Sequence, residues 1–548
     1  MPIPRAATAG IAALTGLALV WLAAGLPAGA FFAGDSGVKL IAAREAIAHP
    51  SRPFETDLPR VGTRATTFVD QMIVPHGDHA HVLQSPLFPP LTAPLIAAFG
   101  LRGAYVWPAL AFIALVPLLA AARRALLPDT SWVVLAWIVV AASPLFLYAL
   151  EFWEHAPAVA LLAAGMALVA PALAGAGSPR RTALGGALVG GGVLLRPEGA
   201  WLAAGLALAL VSPPAGLKPR PTMPLWLAFG GGAAALLLPA AALNYAHFGN
   251  PLGGHASAVL APMGADFLAA RWQRVRDWLW PAAAADAAGL ALVAAAWLAG
   301  LFKVDVRARQ AVVLAGTAVL AVLAARRSLP TPSFWQGFPL ALLALMPATA
   351  WTREARQLAI AAVVTVAGVV LTATNDGGAQ WGTRYLLVAA PPLLLLAARG
   401  ATDAAGAGMW RRARVALLAL VLLAGAATSR SAYLELRGAK RSYQGLVSAV
   451  ESVSPPGDVI VTNLWWLDQV AAALHGTRVF LYVPDAAAAA SALAVVRDER
   501  IDAITLAWSE NESPFPLQAA LDGTCFRAAA TREAPLRRIR LATARCER

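Results

Sequence analysis

The chain has 548 residues, 59% of them hydrophobic and 13% charged, with a mean hydropathy of +0.63. Soluble domains run at about 45–50% apolar and about 25% charged, so this composition excludes a soluble enzyme, a disordered chain and a coiled coil. In so apolar a chain the net charge of +13 points to basic cytoplasmic loops rather than to a nucleic-acid surface.

The first five residues carry one basic side chain, Arg5, and an apolar run follows over 10–32. That run exceeds the roughly 7–15 residues of a signal-peptide core. It reads as a first span with its N-terminus in the cytoplasm, the alternative being a signal peptide cleaved at Ala28–Gly29–Ala30. Further spans are expected at 104–122, 131–150, 156–176, 183–195, 199–213, 223–243, 282–302, 310–325, 333–350, 358–373, 385–399 and 414–429. The bias of basic residues towards the cytoplasm sets the sides. It places Arg123–Arg124, Arg180–Arg181, Lys218 with Arg220, Lys303 with Arg307 and Arg309, Arg353 with Arg356, and Arg411–Arg412 with Arg414 inside, with Arg326–Arg327 as the exception. The assignment requires that 86–100, which holds Pro86, Pro89, Pro90 and Pro94, lies in the interface or re-enters instead of crossing as a regular helix. The expected fold is mainly α, a polytopic membrane bundle of about thirteen spans.

Two large segments then face outward. The expected division is a transmembrane domain over 1–429, with a large first outer loop at 33–103, and an extracytoplasmic α/β domain over 430–548. In the latter, 459–462, 478–483 and 501–506 read as strands, with helices at 464–475 and 486–497. The only two cysteines, Cys525 and Cys546, exclude a cysteine-built metal cluster. Outside the cytoplasm they are expected to form one disulfide.

The polar residues collect on the predicted outer side, and all eight histidines fall there. Gly34-Asp35-Ser36-Gly37 follows the first span. It is either a helix-ending turn or a carboxylate held at the membrane surface as general base or cation ligand. Asp70 and the run His76-Gly77-Asp78-His79-Ala80-His81 come next. His76, Asp78 and His79 are candidate zinc ligands, and a polar surface loop is the other reading. Glu151, Glu154 and His155 sit between two apolar segments, where charged groups face a cavity or a partner unless they snorkel beside Trp153. Arg196 in Arg196-Pro197-Glu198 needs an anion, either Glu198 or a phosphate gripped by the guanidinium in bidentate fashion. Asn244 opens the turn that ends at Pro251, and Trp272, Trp278 and Trp280 read as an interfacial belt. Trp381-Gly382-Thr383-Arg384-Tyr385 brings a second outward arginine to a helix start.

Taken together these residues resemble the GT-C superfamily, the integral-membrane glycosyltransferases that use polyprenyl-phosphate sugars and include protein O-mannosyltransferases and lipid A aminoarabinose transferases. The resemblance rests on Asp35 after the first span, the large first outer loop, Glu151 or Glu154, the Leu195–Glu198 turn, the Asn244–Pro251 turn, the Trp381–Tyr385 turn and an outward C-terminal domain. It implies inverting transfer of a sugar from a polyprenyl-phosphate donor to a lipid, glycan or protein acceptor outside the plasma (inner) membrane. Asp35 would be the general base, Glu151 and Glu154 would share catalytic duty, and Arg196 and Arg384 would hold the donor phosphate. His155, Asn244, Trp381 and Tyr385 would line the acceptor side. A divalent metal is a candidate cofactor, although Gly-Asp-Ser-Gly replaces the doubled acidic motif that metal dependence calls for. Membrane lipids are implied partners and nucleic acid is not. A secondary transporter or lipid flippase is the competing class; it calls for matched halves with broken helices, which the sequence does not show. A non-catalytic assembly subunit is the third reading.

Overall fold

The computed structural model describes residues 5–32, 34–83, 85–211, 223–253, 267–280, 284–326, 333–348, 350–373, 381–408, 410–509, 511, 517–522, 524–534, 536 and 538–547. Lys218, Arg220, His255, Arg327 and Gln380 lie outside them. The chain divides into two compact units, Met1–Trp21 with Trp107–Glu435, and Leu22–Val106 with Leu436–Arg548.

The first unit is the polytopic helical bundle. Among the described residues seven helical stretches are long and apolar enough to cross a membrane: Phe88–Leu126, His155–Leu173, Met223–Ala246, Val306–Ala324, Arg353–Thr372, Arg384–Ala405 and Arg411–Val453. Shorter apolar helices cover Ala9–Ala24, Trp132–Ala142, Gly199–Val211 and Asp286–Phe302. The helices Trp132–Ala142, Pro179–Leu195, Val306–Ala324 and Arg353–Thr372 start on side-chain caps: Ser131, Ser178, Asp305 and Thr352 each accept a hydrogen bond from the first helical turn. Small residues let helices approach closely, as they do in membranes generally. Gly165 and Gly185 bring His155–Leu173 against Pro179–Leu195, and Gly186 and Gly232 bring the latter against Met223–Phe248.

Four segments depart from the sequence expectation. The span expected at 131–150 breaks at Ser143 and Pro144 into the helices Trp132–Ala142 and Leu145–Ala149. The stretch 333–350 is not a regular span but a four-residue helix, Phe334–Gly337, followed by a 3-10 turn, Pro339–Leu345. Pro339 and Pro347 remove backbone donors there, and Gly337 lies against the backbone of Gly382, where a Cβ would collide. The span at 385–399 likewise begins as a 3-10 turn, Arg384–Ala389, before the helix Ala390–Ala405. The last helix does not end near 429. It runs unbroken from Arg411 to Val453, because no proline interrupts it before Pro455–Pro456. The proline-rich segment 86–100 forms the helix Phe88–Phe99. A 3-10 turn, Gly100–Tyr105, with Gly100 at φ 61°, separates it from Val106–Leu126.

The second unit is α/β. Its main sheet has β6 (Val459–Thr462) between parallel neighbours β7 (Val479–Tyr482) and β8 (Ala503–Trp508). The hairpin-like return β11 (Arg540–Cys546) runs antiparallel to β8, with β9 (Phe526–Ala528) and β10 (Arg532–Glu533) paired to it. Alternation along the strands sends residues to two faces. Val459, Val461, Leu481 and Leu506 meet Leu493 and Val496 of the helix Ala486–Asp498 on one face. Ile460 and Phe480 meet Leu446 and Val450 on the other. The expected helix over 464–475 is shorter, a four-residue helix Leu467–Val470 and a 3-10 turn Ala472–Leu474. Cys525 and Cys546 are joined, as expected, with Cα atoms 4.7 Å apart. The first loop contributes the helix Gly34–Ala48, the antiparallel pair β2 (Arg60–Val61) and β3 (Arg64–Ala65), and a small sheet in which β5 (His79–Val82) lies between β1 (Thr56–Asp57) and β4 (Ile73–His76).

Candidate active site

In the membrane unit the site begins where Ser143 and Pro144 end the helix Trp132–Ala142. A turn over 150–154 follows and delivers Glu154 to the N-cap of His155–Leu173, the helix end that favours negative charge. Arg196 occupies the C-cap of Pro179–Leu195, the end that favours a cation. Arg196 Nη1 donates to Glu154 Oε1 at 3.0 Å, while Nη2 and Nε donate to the two oxygens of Glu198 at 2.8 and 3.1 Å. The grip on Glu198 is bidentate, which fixes the guanidinium plane. Glu154 is 1% exposed, while Arg196 and Glu198 keep a partly exposed edge, and Glu151 is buried nearby in the chain.

An aromatic bed surrounds it. Arg196 lies 5.2 Å above the Tyr385 ring, and Arg384 lies 5.5 Å from Tyr385 and 5.6 Å from Trp153, within the range of cation–π attraction. Trp153 stacks on Tyr148 at 5.2 Å, and His155 is 5.1 Å from Tyr148 and 5.4 Å from Trp153. The Tyr148 hydroxyl donates to the Trp381 carbonyl at 3.3 Å, tying the first turn to the second.

The structure therefore gathers Glu154, His155, Arg196, Trp381, Arg384 and Tyr385, with Glu151 buried three residues before Glu154. Asn244 is spent on its own turn, donating to the Pro251 carbonyl at 3.2 Å. Trp272 and Trp280 are exposed as a belt requires, but Trp278 is fully buried and packs 5.9 Å from Tyr385. Trp153 is also fully buried, which removes snorkelling to the interface beside it as an account of the neighbouring acids. Tyr148 went unflagged in the sequence, where the only signal was an aromatic in the break between two aliphatic helices.

The second unit holds the remaining candidates. Asp35 opens the helix Gly34–Ala48 instead of ending one. Gly34 and Gly37 on either side of it lie directly against Gln469, and a Cβ at either would collide with that residue. The Gln469 amide donates to Asp70 Oδ1 at 3.0 Å, and the Met72 amide to the same oxygen at 2.5 Å. Asp468 lies beside Asp70; burial first, and then the Asp70 charge, push its carboxyl well above the usual range. Burial also raises Asp70, so the pair titrates as a unit that keeps a proton. Sequence reading missed Asp468 and Gln469, because the partner of Gln469 lies 399 positions away.

The histidine run is a β-hairpin, not an irregular loop. Gly77 at φ 64° supplies the turn conformation that tight hairpins demand. His76 pairs with His79 across it, and the rings of His76, His79 and His81 sit 5.2–5.7 Å apart. His79 Nδ1 pairs with Asp78 at 2.9 Å.

No family model and no curated protein matches the sequence. Solved structures match it over nearly its whole length. The chain shares its fold with ArnT from Cupriavidus metallidurans. The ArnT crystal structure bound to undecaprenyl phosphate superposes with a TM-score of 0.54 at 14% identity over 98% of both chains, and the apo state gives 0.53 over the same shares. The archaeal oligosaccharyltransferase AglB from Archaeoglobus fulgidus, solved with an inhibitory peptide and dolichol-phosphate, gives 0.49 at 14% identity over 97% of this chain and 74% of its own. The likeness to ArnT is one of fold, and it bears out the architecture expected from the sequence: a polytopic membrane bundle with a small C-terminal α/β region.

Proposed function

We propose that this protein is an inverting membrane glycosyltransferase that takes a sugar from a polyprenyl-phosphate donor and passes it to a lipid, glycan or protein acceptor outside the inner membrane. The observation that carries the reading is the end-to-end fold likeness to ArnT, a structure solved with undecaprenyl phosphate bound. In this reaction an acceptor hydroxyl attacks the anomeric carbon and the bond from that carbon to the phosphate oxygen breaks. Asp35 takes the hydroxyl proton, and the polyprenyl phosphate leaves as an anion. A general base contributes about 10²–10⁴-fold. Cations aimed at the departing phosphate stabilise the transition state, and we assign that task to Arg196 and Arg384. Glu154 and Glu198 hold the Arg196 guanidinium in place, and Glu151, His155, Trp381 and Tyr385 line the acceptor side. An extracytoplasmic position for 430–548 is consistent with the Cys525–Cys546 disulfide, since such bonds persist in oxidising compartments.

Mass spectrometry of surface glycans from a deletion strain tests the proposal. One glycan should lose one sugar, wild-type chain should restore it, and Asp35→Asn should fail to restore it while reaching the membrane at normal levels. A glycan inventory identical to that of the parent strain would overturn it.

A further inference from the structure

The helix Gly34–Ala48 carries Glu45 in its last turn. The His49 amide continues the helical pattern by donating to the Glu45 carbonyl at 2.7 Å. Residues four apart share a helix face, so the Glu45 carboxylate and the His49 imidazole point the same way. Strand β1 brings Asp57 to that face. His49 Nε2 lies 3.4 Å from Asp57 Oδ2 and 3.8 Å from Glu45 Oε2, and the three donor atoms fall within 4.8 Å of one another. Tetrahedral bonds of about 2.0–2.1 Å to zinc place donors about 3.3 Å apart. The His49–Asp57 contact already meets that spacing, the His49–Glu45 contact at 3.8 Å must close by about half an ångström, and the two carboxylates, held within 4.8 Å of each other, must draw together around the ion.

We propose that Glu45, His49 and Asp57 bind a divalent transition ion of the zinc class, which fastens the end of the helix bearing Asp35 to strand β1. Two carboxylates turned towards one point repel unless positive charge lies between them. Arg52 compensates only part of this, from the other side: its Nη2 holds Asp57 Oδ1 at 2.8 Å and its Nη1 reaches Glu55 at 3.9 Å, leaving Asp57 Oδ2 turned to His49. An imidazole among the donors selects a transition ion over magnesium or calcium, which prefer oxygen alone. The His49 and Asp57 side chains are 40% and 43% exposed, so a fourth position opens to water. The site is separate from the hairpin histidines and does not depend on the transferase reading.

The full chain, purified in detergent and stripped with chelator, should bind one zinc ion by calorimetry, unfold at a higher temperature with zinc, and ignore magnesium. Glu45→Gln and His49→Ala should each abolish the binding and the thermal shift. Arg52→Ala should tighten binding by removing the competing cation. The double variant His76→Ala/His79→Ala should bind zinc as the wild type does. X-ray absorption of the zinc-loaded wild type should show one imidazole with oxygen donors, a readout that does not depend on how any variant folds. Absence of zinc binding, retention of it in Glu45→Gln and His49→Ala, loss of it only in the hairpin variant, or a shell of three imidazoles would each overturn the proposal.

Discussion

The two units of this protein bury acidic groups in opposite ways. In the membrane unit the acids close on a cation: Arg196 bridges Glu154 and Glu198 at 3.0 and 2.8 Å. In the α/β unit Asp70 and Asp468 meet each other, with the Gln469 amide and a backbone amide as the donors to Asp70. Compensation by a guanidinium supplies a positive charge that does not vary across the working pH range, since arginine does not deprotonate there. Compensation by a proton leaves a charge state that depends on pH. The first device rests on a cation whose charge is fixed, and the second makes the Asp70–Asp468 pair responsive to acidity.

The largest effect should come from removing the cation. Arg196→Met removes the guanidinium from Glu154, which is 1% exposed, and breaking a buried pair by deleting one partner costs about 3–5 kcal/mol. Thermal unfolding in detergent should register that loss, with a smaller one for Glu198→Gln, because Glu198 is more exposed than Glu154. Arg196→Lys should recover only part of the loss, since an ammonium cannot reproduce the bidentate grip. Equal stability of Arg196→Met and wild type would erase the contrast between the units.

A smaller effect should appear as a slope with pH. Both Asp70 and Asp468 are raised in the native state, so the folded protein holds a proton that the unfolded chain releases above about pH 4. Stability from this pair is therefore complete below that value and is lost as pH rises through the raised native values. Asp468→Asn cannot ionise and should flatten that decline in a series of unfolding curves from acid to neutral pH. An unchanged slope would mean that the pair is not protonated.

His475 supplies the mirror case. Burial and the neighbouring Arg44 push it down to about 4, and Arg44 donates to the carbonyls of Ala472, Ala473 and His475. Stability from a neutral native histidine is present above its ordinary value of about 6.5 and lost as pH falls towards 4. His475→Gln should remove only that acid-side loss, the smallest of the three effects.

Much of the membrane unit was legible in the sequence, because hydropathy reports burial in lipid. The charged turns were legible for a related reason: Glu154, Arg196 and Arg384 stand out against apolar neighbours, and all three lie in one cluster. What hydropathy does not encode is backbone geometry. The stretch 333–350 is apolar enough for a helix, yet Gly337 against Gly382 demands an irregular path. The helix through Val453 carries charges that hydropathy reads as the end of a span, although no proline stops it. The Asp70–Asp468 pair was illegible because neither residue has a local signal, and their meeting depends on how the first loop and the C-terminal segment fold together within one unit.

The purified chain in lipid nanodiscs is incubated with polyprenyl-phosphate sugars and candidate acceptors, and the products are followed by mass spectrometry and by the anomeric configuration of the new bond. The account predicts acceptor-dependent release of free polyprenyl phosphate, an inverted glycosidic linkage, and loss of both in Asp35→Asn. Passage of the intact lipid-linked sugar across the bilayer of proteoliposomes, with no bond broken, would contradict it and identify a flippase instead.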